Sequence, residues 1–297
     1  MLMILAASSC AGEIPEPAPS APPSPAKDEL TISAIPDQDP QKLQRLYSGL
    51  ATYLSQQLGT KVKYVPVTDY AASVSLFRIG DLDMVWFGGL TGAQARAQTP
   101  GARAILQRDI DEAFHSVFIA NVDSGLKPFR SVQGLSALKG RRFTFGSESS
   151  TSGRLMPQYF LDQAGVGPDA FAGPPGYSGS HDKTAELVQS GAYEAGALNE
   201  QVFNARTAAG QVDPNKVVAL FTTPPYHDYH WVVRPDLEKN FGPRFTTRIA
   251  KAFKQLDPAI PEQKGILELF GAGKFIDTSN SNYEQIEAIA RKLDLIK

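Results

Sequence analysis

From Asp28 onward, apolar and polar positions alternate in two distinct periods. Leu30, Ile32 and Ala34 mark one face of a strand. Asp39-Pro40 then supplies a cap residue and a proline at the first helical position, and Leu43, Leu46, Tyr47, Leu50 and Leu54 recur at helical spacing until Gly59. Val62, Tyr64 and Val67 predict a second strand, Asp69 caps a helix running to about Gly80, and Met84-Val85-Trp86-Phe87 reads as a buried strand ending at Gly88-Gly89. Strands separated by helices predict a parallel sheet covered by helices on both faces. A second βα block spans roughly residues 125–222, with strands at Phe143-Thr144-Phe145, 195–198 and 217–221 and helices at 154–164 and 181–190. Two short apolar segments flank it, 117–121 and 231–233, and predict strands that cross between two α/β lobes. The lobes are then 28–122 plus 223–297, and 123–222. Tyr283, Ile286, Ile289, Leu293 and Ile296 give the last helix an apolar stripe of the kind that packs on a core.

A chain of 297 residues is long enough for two such lobes. Lys and Arg number 29 against 31 Asp and Glu, a net charge of −2, so the basic excess of a nucleic-acid binder is missing and any bound anion must be held locally. Cys10 is the single cysteine and permits no intrachain disulfide. It follows an apolar start and the small residues Ala7-Ser8-Ser9, which resembles the end of a bacterial lipoprotein signal, with Cys10 as the lipidated residue. Residues 11–27 interleave Pro15, Pro17, Pro19, Pro22, Pro23 and Pro25 with Ala, Ser and Glu and read as a tether reaching roughly 50 Å at about 3.1 Å per residue.

The most specific local feature is Gly146-Ser147-Glu148-Ser149-Ser150-Thr151-Ser152-Gly153, between a strand and a helix. The first N–H groups of a helix have no internal partner and carry the positive end of its dipole, so they bind an oxyanion without a Lys or Arg, and the hydroxyls add donors. Taken alone, the turn is equally a Ser-rich cap with no ligand. A second helix start, Tyr177-Ser178-Gly179-Ser180-His181-Asp182, changes that balance, because Ser180 caps it and His181 sits in its first turn. A cation is misplaced there, which suits a neutral imidazole donating one N–H to an anion.

In order along the chain, Pro66-Val67-Thr68-Asp69-Tyr70, Trp86-Phe87-Gly88-Gly89, Ser150-Thr151-Ser152-Gly153, Ser178-Gly179-Ser180-His181-Asp182 and Pro224-Pro225-Tyr226-His227-Asp228-Tyr229 resemble the phosphonate/phosphite-binding proteins of ABC importers, the PhnD family. The resemblance covers about residues 28–295. It implies a type II periplasmic-binding-protein fold, two α/β lobes joined by two strands, that closes on a small phosphorus oxyanion such as phosphite or methylphosphonate. It also implies a monomer delivering its ligand to an ABC permease and ATPase in the inner membrane, with no cofactor and no metal, and periplasmic location with lipid anchorage as the membrane contact.

By the same resemblance Ser150, Thr151 and Ser152 take the phosphonate oxygens, Tyr70 donates its hydroxyl from the other lobe, His181 adds a hydrogen bond and Asp228 accepts one, while His115, Asn199 and Tyr229 complete the cleft. Asp228 invites a sharper expectation. A carboxylate beside a dianion in a closed cleft is repelled unless a proton lies between them, so Asp228 favours oxyanions that keep a P–OH near neutral pH over sulfate or selenate. Asn199 stands where aminophosphonate binders of the family place a carboxylate for the ligand's ammonium, which counts against aminoethylphosphonate. Selenate, phosphate and aminoethylphosphonate are the alternative ligands. A hydrolase using Ser152, His181 and Asp228 is the alternative activity; it lacks a G-x-S-x-G elbow at that serine. His227 and His230 read as hinge or surface residues.

Overall fold

The computed structural model describes residues 27–296. Cys10 and the tether up to residue 26 lie outside the described residues. The first lobe opens with β1 (Glu29–Ala34), α1 (Pro40–Leu58), β2 (Lys61–Tyr64), α2 (Tyr70–Ile79), β3 (Met84–Phe87), α3 (Gly89–Gln98) and β4 (Arg103–Arg108). The chain then crosses to β5 (Ser116–Asn121), β6 (Phe143–Phe145), α4 (Met156–Gln163), β7 (Gly176–Tyr177), α5 (His181–Gln189), β8 (Ala195–Asn199), α6 (Glu200–Ala208) and β9 (Val217–Thr222). It returns as β10 (His230–Val233), followed by α7 (Leu237–Phe241), α8 (Phe245–Lys254), α9 (Pro261–Phe270), β11 (Phe275–Asp277) and α10 (Glu284–Lys292).

Local chemistry sets many of these boundaries. The Asp39 carboxylate accepts the Lys42 N–H at 2.8 Å and Pro40 opens α1, which ends at Gly59. Asp69 caps α2 in the same way, through the Ala72 N–H at 2.7 Å. The apolar stripe of α1 buries Leu43, Leu46, Tyr47, Leu50 and Leu54 against a core whose centre is the fully buried Trp231, ringed by Trp86, Tyr47, Phe253 and Phe270. The stripe on α10 buries Ile286 and Ile289.

The sheets run in the order β11-β4-β10-β3-β1-β2 and β7-β6-β8-β5-β9. Neither is wholly parallel. β10 lies antiparallel to β3 and β4, and β5 lies antiparallel to β8 and β9. Each is the first strand after a crossing, so it enters its sheet from the end facing the other lobe and runs against its neighbours. Both segments expected to cross are therefore sheet strands. Residues 117–121 belong to β5 in the second lobe, ahead of the expected boundary at 122/123, and 231–233 belong to β10 in the first. The crossings are the stretches just before them, 109–115 and 223–229, paired where Phe114 and Tyr226 exchange backbone hydrogen bonds of 2.8 and 3.0 Å. In β5 the side chains alternate, Val117 and Ile119 packing on one face of the second sheet and Phe118 and Ala120 on the other, which is why this strand reads as almost continuously apolar.

Candidate functional site

Helix starts from both lobes meet at the strand ends that face the crossings, where ligands bind in open α/β sheets. α2 begins with Tyr70, α3 with Gly89 and α5 with His181. Before α4 the chain makes one π-helical turn, Thr151–Leu155, so the helical segment starts three residues earlier than Arg154, where the sequence put it. Ser150 is the cap, its hydroxyl accepting the Gly153 N–H at 2.9 Å. The extra residue of the wide turn brings Thr151 and Ser152 into the cleft as helical residues rather than as loop.

Each member of the Ser-Thr-Ser run does a different job. Ser150 Oγ caps. Thr151 Oγ1 reaches across to the first lobe and accepts the Leu90 N–H at 3.0 Å. Ser152 Oγ is buried without a hydrogen-bond partner among the described residues. So are the Tyr70 hydroxyl, which lies near Ser150 but not in bonding geometry, and Asp228 Oδ2. Tyr70, Ser150, Thr151, Ser152, His181, Asn199, Asp228 and Tyr229 are each at most 3% exposed, so solvent does not satisfy those three atoms. The other oxygen of Asp228 accepts the Gly89 N–H at 2.8 Å. Gly88 is needed beside it. A Cβ there would stand 3.0 Å from Thr151 Oγ1 and 3.2 Å from Asp228 Oδ1.

A second cluster adjoins the first. The Tyr229 hydroxyl donates to Asp37 Oδ2 at 2.7 Å, and its oxygen faces His181 Nε2 at 3.3 Å and Asn199 Nδ2 at 3.4 Å. His181 Nδ1 accepts the Asn199 backbone N–H at 3.3 Å, which leaves Nε2 as the protonated nitrogen. Asn199 is further committed as the cap of α6, its Oδ1 accepting the N–H groups of Gln201 and Val202. Two bonds then close the cleft mouth: the His181 N–H donates to the Asp37 carbonyl at 3.0 Å and the Asp39 N–H to Asp182 Oδ2 at 2.8 Å.

Burial governs the protonation states. His181 is depressed to about 3 by desolvation, so it is a neutral donor, as its place at a helix start requires. Burial raises Asp228 to about 7, against the opposing pull of the Gly89 N–H and the Thr151 hydroxyl, and raises Asp37 to about 6, against the Tyr229 hydroxyl. The cleft thus offers neutral donors together with two carboxyl groups that change charge near neutral pH.

The structure brings together Tyr70, Ser150, Thr151, Ser152, His181, Asn199, Asp228 and Tyr229, but it engages His115 elsewhere. His115 Nδ1 donates to the Thr223 carbonyl at 2.7 Å and so ties the two crossings to each other. His230 is fully buried in β10 rather than at the surface. The Ser152/His181/Asp228 catalytic arrangement is not assembled, because both ring nitrogens of His181 face Asn199 and Tyr229. Among the described residues, no group of three or more His, Cys, Asp or Glu side chains is placed to hold a metal ion.

Three participants received no role from the sequence. Asp37 sits just past the end of β1, a ligand-facing position whose signal was hidden inside Pro36-Asp37-Gln38-Asp39-Pro40, a stretch that reads as a lead-in to α1. Tyr226 bonds Ser116 Oγ at 2.6 Å and lies beside Ser152. Arg108 forks onto Asp111 at 2.6 and 2.8 Å, donates to the Phe270 carbonyl, and lies 5.0 Å above the Tyr229 ring.

A family model described as "ABC transporter, phosphonate, periplasmic substrate-binding protein" matches residues 32–283. The chain belongs to this family of periplasmic binding proteins. It is 48% identical over 269 residues, 90% of this chain and 91% of the relative, to a protein of Prochlorococcus marinus strain MIT 9301 described as a probable ABC transporter phosphite binding protein, PhnD1. The structure of PhnD1 from that organism in complex with methylphosphonate matches at a TM-score of 0.89 and 47% identity, covering 91% of this chain and 99% of that one. The phosphate-import protein PhnD of Mycolicibacterium smegmatis is 28% identical over 228 residues, 73% of this chain and 69% of the relative. The fold is therefore the type II periplasmic-binding-protein fold, and the role is solute binding for an ABC importer rather than catalysis.

Proposed function

We propose that this binding protein captures phosphite or a small alkylphosphonate such as methylphosphonate by lobe closure and hands it to its ABC permease and ATPase. The observation that carries the reading is the set of three buried, unpartnered polar atoms: two hydroxyls from opposite lobes, Tyr70 and Ser152, and one carboxyl oxygen of Asp228 from the second crossing. The hydroxyls suit the unprotonated oxygens of a tetrahedral anion, and Asp228 suits its P–OH. Charge-assisted hydrogen bonds contribute roughly 1.5–3 kcal/mol each, so these three supply roughly 4.5–9 kcal/mol, a range that spans the ~8 kcal/mol of a micromolar complex.

The neighbourhood of Asn199 argues against an aminoalkyl arm. Asn199 is neutral and already bonded, and the small cavity beside it, about 30 Å³, is lined by the buried Arg108 guanidinium as well as Asp37, Trp86 and Tyr229. An aminoalkyl arm would have to fit a space about the size of one water. A calorimetric panel of phosphite, methylphosphonate, aminoethylphosphonate, phosphate, sulfate and selenate tests the reading. Phosphite or methylphosphonate is expected to bind at micromolar affinity or tighter and the sulfur and selenium anions at least tenfold more weakly; equal affinity for sulfate or selenate would refute it.

Lipid anchorage through Cys10 and a monomeric state belong to the same proposal, the former supported by the small residues before Cys10 and the Pro-rich stretch after it. Cys10→Ser is expected to move the protein from the membrane fraction to the soluble periplasmic fraction, and an unchanged distribution refutes the anchor.

A further inference from the structure

One buried group near the site plays no part in the mechanism above. His230, the first residue of β10, lies two residues after Asp228, and both its ring nitrogens are used. A carbonyl only accepts, so Nδ1 carries the proton that it gives to the Asp228 carbonyl at 2.9 Å. A guanidinium only donates, so Nε2 is the lone pair that takes Arg96 Nη1 at 2.7 Å. Arg96 is in turn held by Glu287 of α10 at 2.7 Å, and the imidazole stacks on Tyr283 at 3.7 Å between ring centres. The pair fits only because position 92 is glycine; a Cβ there would stand 2.3 Å from Nε2.

Arg96 and Gly89 are both on α3. One helix therefore grips Asp228 twice, directly at its carboxyl group through the Gly89 N–H and, through His230, at its main chain. Asp111 completes the hold, its carbonyl accepting the Asp228 N–H at 3.2 Å. We propose that Arg96 and His230 are positioning residues for Asp228: the Arg96 guanidinium, donating to Nε2, holds the imidazole in the tautomer whose Nδ1–H grips the Asp228 carbonyl. The groups facing His230 are Arg96 from α3, Tyr283 and, beyond Arg96, Glu287 from the C-terminal segment, and His227 and Asp228 from its own strand and crossing. Burial and Arg96 both depress His230, in that order, while the bond to Asp228 opposes them.

The inference rests on Asp228 being the ligand's acceptor, and its experiment has one arm that does not need a ligand. Imidazole NMR, with His230→Gln to assign the resonance among the four histidines, is expected to show His230 as the neutral Nδ1–H tautomer in the wild-type chain and in Arg96→Lys, and to lose that single tautomer in Arg96→Met or, if that variant does not fold, Arg96→Gln. Without that tautomer the Asp228 carbonyl loses the donor that holds it. Phosphite affinity is expected to fall at least threefold in Arg96→Met and to return to the wild-type value in Arg96→Lys. A wild-type His230 in the Nε2–H tautomer overturns the proposal, as does unchanged affinity in a variant that has lost the Nδ1–H tautomer. A wild-type chain that binds no phosphite overturns the functional reading instead and leaves the NMR arm to decide this one.

Discussion

Asp228→Asn is expected to weaken phosphite binding by roughly 10- to 100-fold and, in the same protein, to narrow the preference for phosphite over sulfate by at least tenfold. The first effect follows from losing one charge-assisted hydrogen bond, about 1.5–3 kcal/mol. The second follows from the amide's N–H groups, which donate where a carboxylate repels, so that an anion without a proton becomes acceptable. Stability should move the other way. Burial raises Asp228 to about 7 in the folded chain, above the ordinary carboxylate value near 4. Its contribution is therefore fully present below about pH 4 and is lost as pH rises through about 7. The Asn variant escapes that loss, so its ligand-free thermal midpoint at pH 8 is expected to exceed the wild-type value and to fall less between pH 4 and 8. Calorimetric titration with phosphite and sulfate, together with thermal melts across that range, checks both. An unchanged anion preference removes the selective role assigned to this side chain.

Gly88→Val is expected to cost at least 100-fold in phosphite affinity while lowering the ligand-free thermal midpoint by only a few degrees. Gly88 has an extended backbone, φ −75°, ψ 167°, that any residue adopts, so strain is not the reason for a glycine here. The reason is space. The first added carbon already comes within 3.0 Å of Thr151 Oγ1 and 3.2 Å of Asp228 Oδ1, and valine adds two methyl groups to it. The contact with Thr151 arises only when the second lobe comes down on the first, since Thr151 reaches Leu90 from across the cleft, whereas Asp228 Oδ1 is held against this turn by the Gly89 N–H and is met without closure. Small-angle scattering of the variant with saturating phosphite should then show the larger radius of an open molecule; a compact liganded form with wild-type affinity contradicts the packing at Gly88.

What the chain disclosed by itself follows from how local each signal was. The ends of α1 were legible because Asp39, Pro40 and Gly59 act within one helical turn of themselves. The placement of Ser150–Ser152, His181 and Asp228 was legible because helix starts and motif order both pointed there. Strand membership was harder. Nothing in Val117-Phe118-Ile119-Ala120 says whether it lies between lobes or inside one, since that depends on pairing with β8 and β9, about 80 and 100 residues on. The π-helical turn at Thr151–Leu155 was read as loop because its cap, Ser150, is one of several equivalent serines. Asp37 and Arg108 were missed for a related reason, as their partners Tyr229 and Phe270 are remote in sequence.

The second crossing contains Asp228 and Tyr229, and the Thr223 carbonyl in it is tied to His115 in the first. Residues on an axle travel least when the halves swing. On the reading proposed above, an incoming solute meets Asp228 already in position, and Tyr70 and Ser152 converge on it from opposite sides as the lobes close. Chemical identity would then be checked before shape is enclosed, an unprotonated impostor being turned away while the door still stands open.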